Sequence, residues 1–190
     1  MAVPANPWTI TGEKQVYDNP WITVTEFAVR TPSGNPGIYG KVHFKNLALG
    51  ILAINAEGQI PLVGQYRFPL GRYSWEIPEG GGQLDNEPLE SAQRELREET
   101  GLVATTWQEL FRMDLSNSVS DEEAIIYLAT NLEQREAEPE DTEVLAHQWV
   151  SLDQAVDMIL TGAITDSISV AAILYLRLAI ADKRITLPNS

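Results

Sequence analysis

The chain has 190 residues, 44 % of them hydrophobic, enough for one cored domain or one domain with a small extension. Its formal net charge of −14, from 27 acidic and 13 basic residues, argues against a duplex nucleic-acid partner, which needs a basic footprint, and is compatible with binding divalent cations. Without cysteine there is no disulfide framework, thiolate zinc site or thiol nucleophile.

Met1 to Ile10 has no basic start and is broken by Pro4, Asn6 and Pro7, so no signal peptide is read there. Trp21–Arg30 (WITVTEFAVR) alternates and is rich in β-branched residues, which predicts a strand. Thr31–Gly37 (TPSGNPG) is a turn, and Ile38–Phe44 completes a hairpin. Leu47–Asn55 is almost continuously apolar and reads as a buried central strand; Glu57-Gly58 turns it into a further strand, Ile60–Arg67. Tyr73–Ile77 is a short strand that enters the glycine-rich loop Pro78–Gly82. Asn86 is the expected cap of the next helix, with Pro88 in its first turn, Leu89, Ala92 and Leu96 as its buried stripe and Gly101 as its stop. Trp107–Met113 and Ala124–Thr130 read as strands around a polar loop. Asn131–Glu143 is acidic, His147–Val150 is a short strand, and Leu152–Leu160 and Ser167–Ala181 are helices. The apolar run near Val170–Ile180 is interrupted by Arg177 and too short to span a bilayer, so the expectation is a soluble cytoplasmic protein with no membrane partner. Strands and helices in this mixed order predict an α/β sandwich.

The chemistry concentrates in SAQRELREETGL, Ser91–Leu102. On a helix Glu95, Glu98 and Glu99 are i, i+3 and i+4 and share one face, while Arg94 can pair at i±4 with Glu98 or Glu90. On composition alone such a segment is a solvated amphipathic face. A strand, then Glu-Gly-Gly-Gly, then a helix with an acidic triplet, then glycine is a poor fit to surface filling. Three carboxylates beside Gly80–Gly82 make a hard oxygen site suited to Mg²⁺ or Mn²⁺, with the glycines letting backbone approach a metal or phosphate.

The same residues resemble the Nudix box: glycine, five residues, glutamate, seven residues, then Arg-Glu-apolar-any-Glu-Glu-any-Gly-apolar. Gly80 is followed at matching spacing by Asn86 and then by Arg94-Glu95-Leu96-Arg97-Glu98-Glu99-Thr100-Gly101-Leu102. Asn86, where the family has glutamate, is the one departure. The resemblance implies a Nudix-type α/β/α sandwich with a mixed sheet over residues 46–190, and residues 1–45 as an N-terminal antiparallel β-hairpin extension. It also implies Mg²⁺, with Mn²⁺ as a substitute, held by Glu95, Glu98, Glu99 and the backbone of Glu79–Gly80, and Arg94 positioning the helix carboxylates.

Gly64–Gly81 (GQYRFPLGRYSWEIPEGG) is similar to the stretch before the box in ADP-ribose pyrophosphatases and other nucleoside diphosphate sugar hydrolases. That resemblance implies hydrolysis of ADP-ribose or a related nucleotide sugar to AMP and a sugar phosphate. It implies that Arg67 contacts substrate phosphate, that Trp21 and Tyr39 take the adenine partly across a homodimer, and that an acid of the loop before the last strand orients the water. Glu143 matches that acid best by position, with Glu140 next. The loop Leu115–Ala124 lacks the proline common in that branch but keeps Ser120-Asp121-Glu122. Other readings are a hydrolase of dinucleoside polyphosphates or capped RNA, and a sensor that binds a nucleotide without cleaving it. His43 and His147 are read as structural.

Overall fold

The structure is a computed structural model that describes residues 5–135 and 145–186. Its contacts separate the chain into two compact units, Met1–Asn46 with Asp114–Glu123, and Leu47–Met113 with Ala124–Ser190.

The first unit is a three-stranded antiparallel sheet in the order β1 (Thr9–Asp18), β2 (Ile22–Arg30), β3 (Pro36–Phe44). The expected hairpin is β2–β3, paired from Ile22↔Phe44 to Arg30↔Pro36. The sequence reading missed β1: every residue of TITGEKQVYD is exposed, so no buried face marks it, and bulges after Ile10 and Gln15 break its period. The segment Asp114–Glu123 joins this sheet through Val42 N–H to Val119 O at 2.8 Å and Asp121 N–H to Val42 O at 3.2 Å. Asp121 accepts from Lys41 Nζ at 3.0 Å and Phe44 N–H at 3.1 Å, and lies 2.9 Å from His43 Nδ1. His43 is thus part of a structural knot, as read from the sequence.

The second unit holds two sheets. One has the order β10 (Ala146–Ser151), β5 (Gln59–Arg67), β6 (Arg72–Glu76), with a 3₁₀ turn over Phe68–Leu70. The other is β7 (Glu79–Gln83), β4 (Asn46–Ala53), β9 (Glu123–Gln134), β8 (Leu102–Asp114), in which β4 and β9 run parallel. Three helices complete it: α1 (Pro88–Thr100), α2 (Leu152–Leu160) and α3 (Ser167–Ala181). Strand β4 is buried as its apolar run predicts. Leu49, Ile51 and Ala53 form a core with Ala92 and Leu96 of α1. On the opposite face the missing Cβ of Gly50 leaves room for Ile168 of α3. Helices on both faces of a mixed sheet are the expected α/β/α sandwich.

Two local expectations are corrected. Pro78–Gly82 is no simple loop, because Glu79–Gln83 pairs as the edge strand β7. Asn86 does not cap α1. The N-cap is Glu87, without a side-chain cap, and the Asn86 amide donates to Gln83 Oε1 at 3.3 Å; Pro88 at the start and Gly101 in the left-handed region at the end are as expected.

Candidate active site

Helix α1 lies across β7, and the glycines of that strand set how closely. A Cβ at Gly80 would fall inside the carboxyl group of Glu95, and one at Gly82 would stand 3.0 Å from Leu49 Cδ1 and 3.4 Å from Ser91 Cβ. These glycines therefore admit the helix and its carboxylate, a more specific task than general access for a ligand.

Arg94 organises the outer carboxylates. Its Nη1 donates to Glu98 Oε2, and its Nη2 donates to Glu95 Oε1 and to Gly81 O, the last at 3.1 Å. The i+4 partner is thus Glu98 rather than Glu90, and Glu95 is gripped as well. Burial raises the Glu95 pKa against the opposing pull of Arg94. Glu99 faces inward: it is 3 % exposed, and its Oε2 accepts the Glu79 N–H at 3.0 Å. Its carbonyl accepts from His147 Nε2, which ties the end of α1 to β10 and fits the structural reading of that histidine.

Arg67, at the end of β5, is clamped side-on by Glu76 of β6. Its Nε donates to both Glu76 oxygens, at 3.1 and 3.0 Å, and its Nη2 donates to Oε2. Burial opposes the guanidinium charge, but Glu76 outweighs it, with Glu79 and Glu99 adding to the field, and the Arg67 pKa rises. Glu76 is 3 % exposed, so the pair is fixed from the protein side while the Arg67 Nη1 group is left unused by Glu76.

The Glu79 carboxylate turns away from Glu99 toward α3. Its Oε1 accepts from Ser169 Oγ at 2.8 Å, and its pKa is pushed well up by burial and by neighbouring Asp166 and Glu76. Sequence reading missed Glu76, Asp166 and Ser169. An inward-facing glutamate at the end of a short strand is a signal for Glu76, but the other two become visible only when α3 folds back.

The donors are all oxygen: three carboxylates on one helical turn next to backbone that carries no Cβ. This set suits a hard divalent cation. Among the described residues no three such side chains converge on one point as they stand, because Arg94 holds Glu95 and Glu98 while Glu79 N–H holds Glu99. Glu140 and Glu143 lie outside the described residues.

In the first unit Trp21 is 65 % exposed and Tyr39 39 %. Tyr39 packs edge-on against Trp8, with ring centroids 5.5 Å apart, and donates to Ser118 O at 2.7 Å. Trp21 precedes Ile22, which pairs with Phe44, whereas Tyr39 pairs with Phe27. Six residues of β2 separate these levels, about 20 Å at strand rise, so one chain does not bring the two rings together.

A model of the NUDIX domain matches residues 45–171, and a model of the nucleoside diphosphate sugar hydrolase N-terminal domain matches residues 8–42. The chain is 39 % identical over 151 residues to the ADP-ribose pyrophosphatase of Mycobacterium tuberculosis, covering 77 % of this chain and 72 % of that protein. It is 33 % identical over 133 residues to the ADP-ribose pyrophosphatase of Bacillus subtilis, covering 69 % and 72 %. The crystal structure of an ADP compounds hydrolase shares the fold, with a TM-score of 0.84 over 97 % of this chain and 100 % of that one at 20 % identity. With the box residues gathered on α1 and β7, and the domain matched over 45–171, the chain belongs to the Nudix hydrolase family.

Proposed function

We propose that the protein hydrolyses the pyrophosphate bond of ADP-ribose or a related nucleoside diphosphate sugar, giving AMP and a sugar phosphate, as a cytoplasmic homodimer. Nudix hydrolases generally depend on a divalent metal; here the proposed ion is Mg²⁺, with Mn²⁺ as a substitute. The observation that carries the reading is the carboxylate turn of α1 pressed onto Gly80, in the same unit as an arginine held by a buried glutamate. Two named relatives, both ADP-ribose pyrophosphatases, support the substrate class.

Glu95, Glu98, Glu99 and the Glu79–Gly80 backbone would hold the ion, with Arg94 fixing two of the carboxylates. When bound, the ion supplies charge neutralisation at the phosphoryl oxygens and a more acidic water. Arg67 keeps its Nη1 edge for a phosphate oxygen while Glu76 stops the fork from rotating. A water oriented by one acid of the loop before β10, Glu143 first and Glu140 as the alternative, attacks one phosphorus; the bridging P–O bond breaks, and the departing phosphate leaves with the electron pair. Trp21 and Tyr39 offer aromatic faces to the base, and their separation within one chain is why a second copy is part of the proposal.

The test is product release from ADP-ribose, ADP-glucose, GDP-mannose, NADH and diadenosine polyphosphates, with Mg²⁺ and with EDTA. Metal-dependent AMP from ADP-ribose above the others is the expected result. Preference for a diadenosine polyphosphate, or no turnover of any compound, overturns the proposal.

A further inference from the structure

One buried hydroxyl connects α3 to the carboxylate site. Ser169 is fully buried at the third position of α3, where its N–H donates to the cap carboxylate of Asp166 at 2.7 Å. Its Oγ accepts the Ile77 N–H at 3.0 Å and donates to Glu79 Oε1 at 2.8 Å. The hydroxyl thus spans residues 77 to 79, the link between β6 and β7. Within that link Pro78 O accepts the Ile51 N–H at 2.8 Å, and Glu79 N–H holds the Glu99 carboxylate at 3.0 Å. Ile168, the residue before Ser169, is seated against Gly50 of the central strand, which fixes where α3 begins.

We infer that Ser169 is a positioning residue: through Ile77 and Glu79 it sets the backbone that aims the Glu99 carboxylate and the Glu79 carbonyl. The inference rests on the metal-site reading given above. A hydroxyl suits this place because it donates and accepts at once, and here it does both. Alanine would leave the Ile77 N–H without its Ser169 partner and the Glu79 carboxyl with Asp166 alone, loosening residues 77–79 at the end that α3 holds. Groups that orient metal-binding side chains from behind change metal affinity or activity by roughly ten- to hundred-fold when removed. A residue that only fills the core would lower stability and leave both unmoved.

The experiment compares the full-length wild type with Ser169→Ala and Ser169→Thr. Mn²⁺ binding is measured by the electron paramagnetic resonance signal of free Mn²⁺, independently of turnover. Hydrolysis of ADP-ribose is measured as separate kcat and KM. For Ser169→Ala the expected result is Mn²⁺ affinity weakened roughly tenfold or more and a comparable fall in kcat, with KM little changed. Ser169→Thr, which keeps the hydroxyl, restores both. If Ser169→Ala does not fold, Glu79→Leu breaks the same link from its other side and is expected to weaken Mn²⁺ binding equally. Wild-type Mn²⁺ affinity in a folded Ser169→Ala or Glu79→Leu protein overturns the inference, as does a wild type that binds no Mn²⁺. A wild type that binds Mn²⁺ but cleaves no nucleotide sugar refutes the proposed function alone, and the relay is then judged on Mn²⁺ affinity.

Discussion

Replacing Gly80 with alanine tests whether the close approach of α1 to β7 serves the carboxylates or only the packing. The new Cβ would lie within the Glu95 carboxyl group, so Glu95 must swing away and loosen its pairing with Arg94. Gly80 is outside the left-handed region, so alanine adds no φ strain, and a stiffer unfolded chain stabilises by about 0.4–1 kcal/mol. Overpacking costs about 1–3 kcal/mol, and a side chain that can rotate outward places this site at the low end. The balance is a loss of about 0–2 kcal/mol. At about 2–4 °C per kcal/mol for a chain of this size, Tm falls by no more than about 8 °C. Displacing a reacting-site carboxylate by an ångström, by contrast, costs about a hundredfold in rate. The assay is AMP release from ADP-ribose at saturating Mg²⁺, with calorimetry alongside. Gly82→Ala is the control, because its Cβ meets Leu49 and Ser91 and no carboxylate. It is expected to lose stability on a similar scale and keep most of its kcat. Near-wild-type turnover in Gly80→Ala, or equal losses of kcat in both variants, refutes the reasoning.

Glu99→Gln is expected to retain its fold and lose at least about a hundredfold in kcat, read by turnover and circular dichroism together. Glu76→Gln leaves the Arg67 fork with a weaker partner. Discounted for the part-exposed arginine, the stability loss is about 1–2 kcal/mol by denaturant melt, and KM for ADP-ribose rises. Burial raises the Asp121 pKa, but Lys41, His43 and the Phe44 N–H together bring it below the usual carboxylate value. A depressed folded pKa means that stability is present above the unfolded pKa of about 3.9 and is lost as pH falls through the lower folded value. The Tm difference between wild type and Asp121→Asn should therefore shrink between pH 5 and about 2, and a gap that stays constant contradicts the ion knot.

What could be read beforehand follows from which signals are local. Strand β4 and helices α1 to α3 were legible because apolar period and end signals lie within each segment, and Gly101 and Pro88 mark α1 unambiguously. Strand β1 was not, since its residues bury nothing and its pairing alone defines it. Strand β7 reads as a loop because glycine is depleted in strands; here the glycines are required by the helix that crosses them, a tertiary demand. The acidic triplet was legible from helical spacing, yet its division was not. Glu95 and Glu98 go to Arg94, while Glu99 goes inward to a backbone N–H contributed by residue 79. Glu76 and Ser169 act through contacts nine and 90 residues apart in sequence, which no local pattern records.

The separation of Trp21 from Tyr39 gives the base-binding proposal a sharper test than either single substitution. In a two-fold dimer each base site would take Trp21 from one copy and Tyr39 from the other. Trp21→Ala and Tyr39→Ala homodimers would each have two damaged sites, with higher KM for ADP-ribose and less effect on kcat. A mixed dimer would carry both defects in one site and none in the other. Random reassortment of equal amounts makes half the dimers mixed, so about a quarter of all sites become intact. Mixing the two variants under conditions that exchange subunits should therefore restore about a quarter of the wild-type rate at low substrate, with no restoration for either variant alone. If mixing restores nothing while exchange is confirmed by mass-tagged subunits, the two rings do not share a base across copies. The roughly 20 Å between them would then leave only one of the two as a base contact.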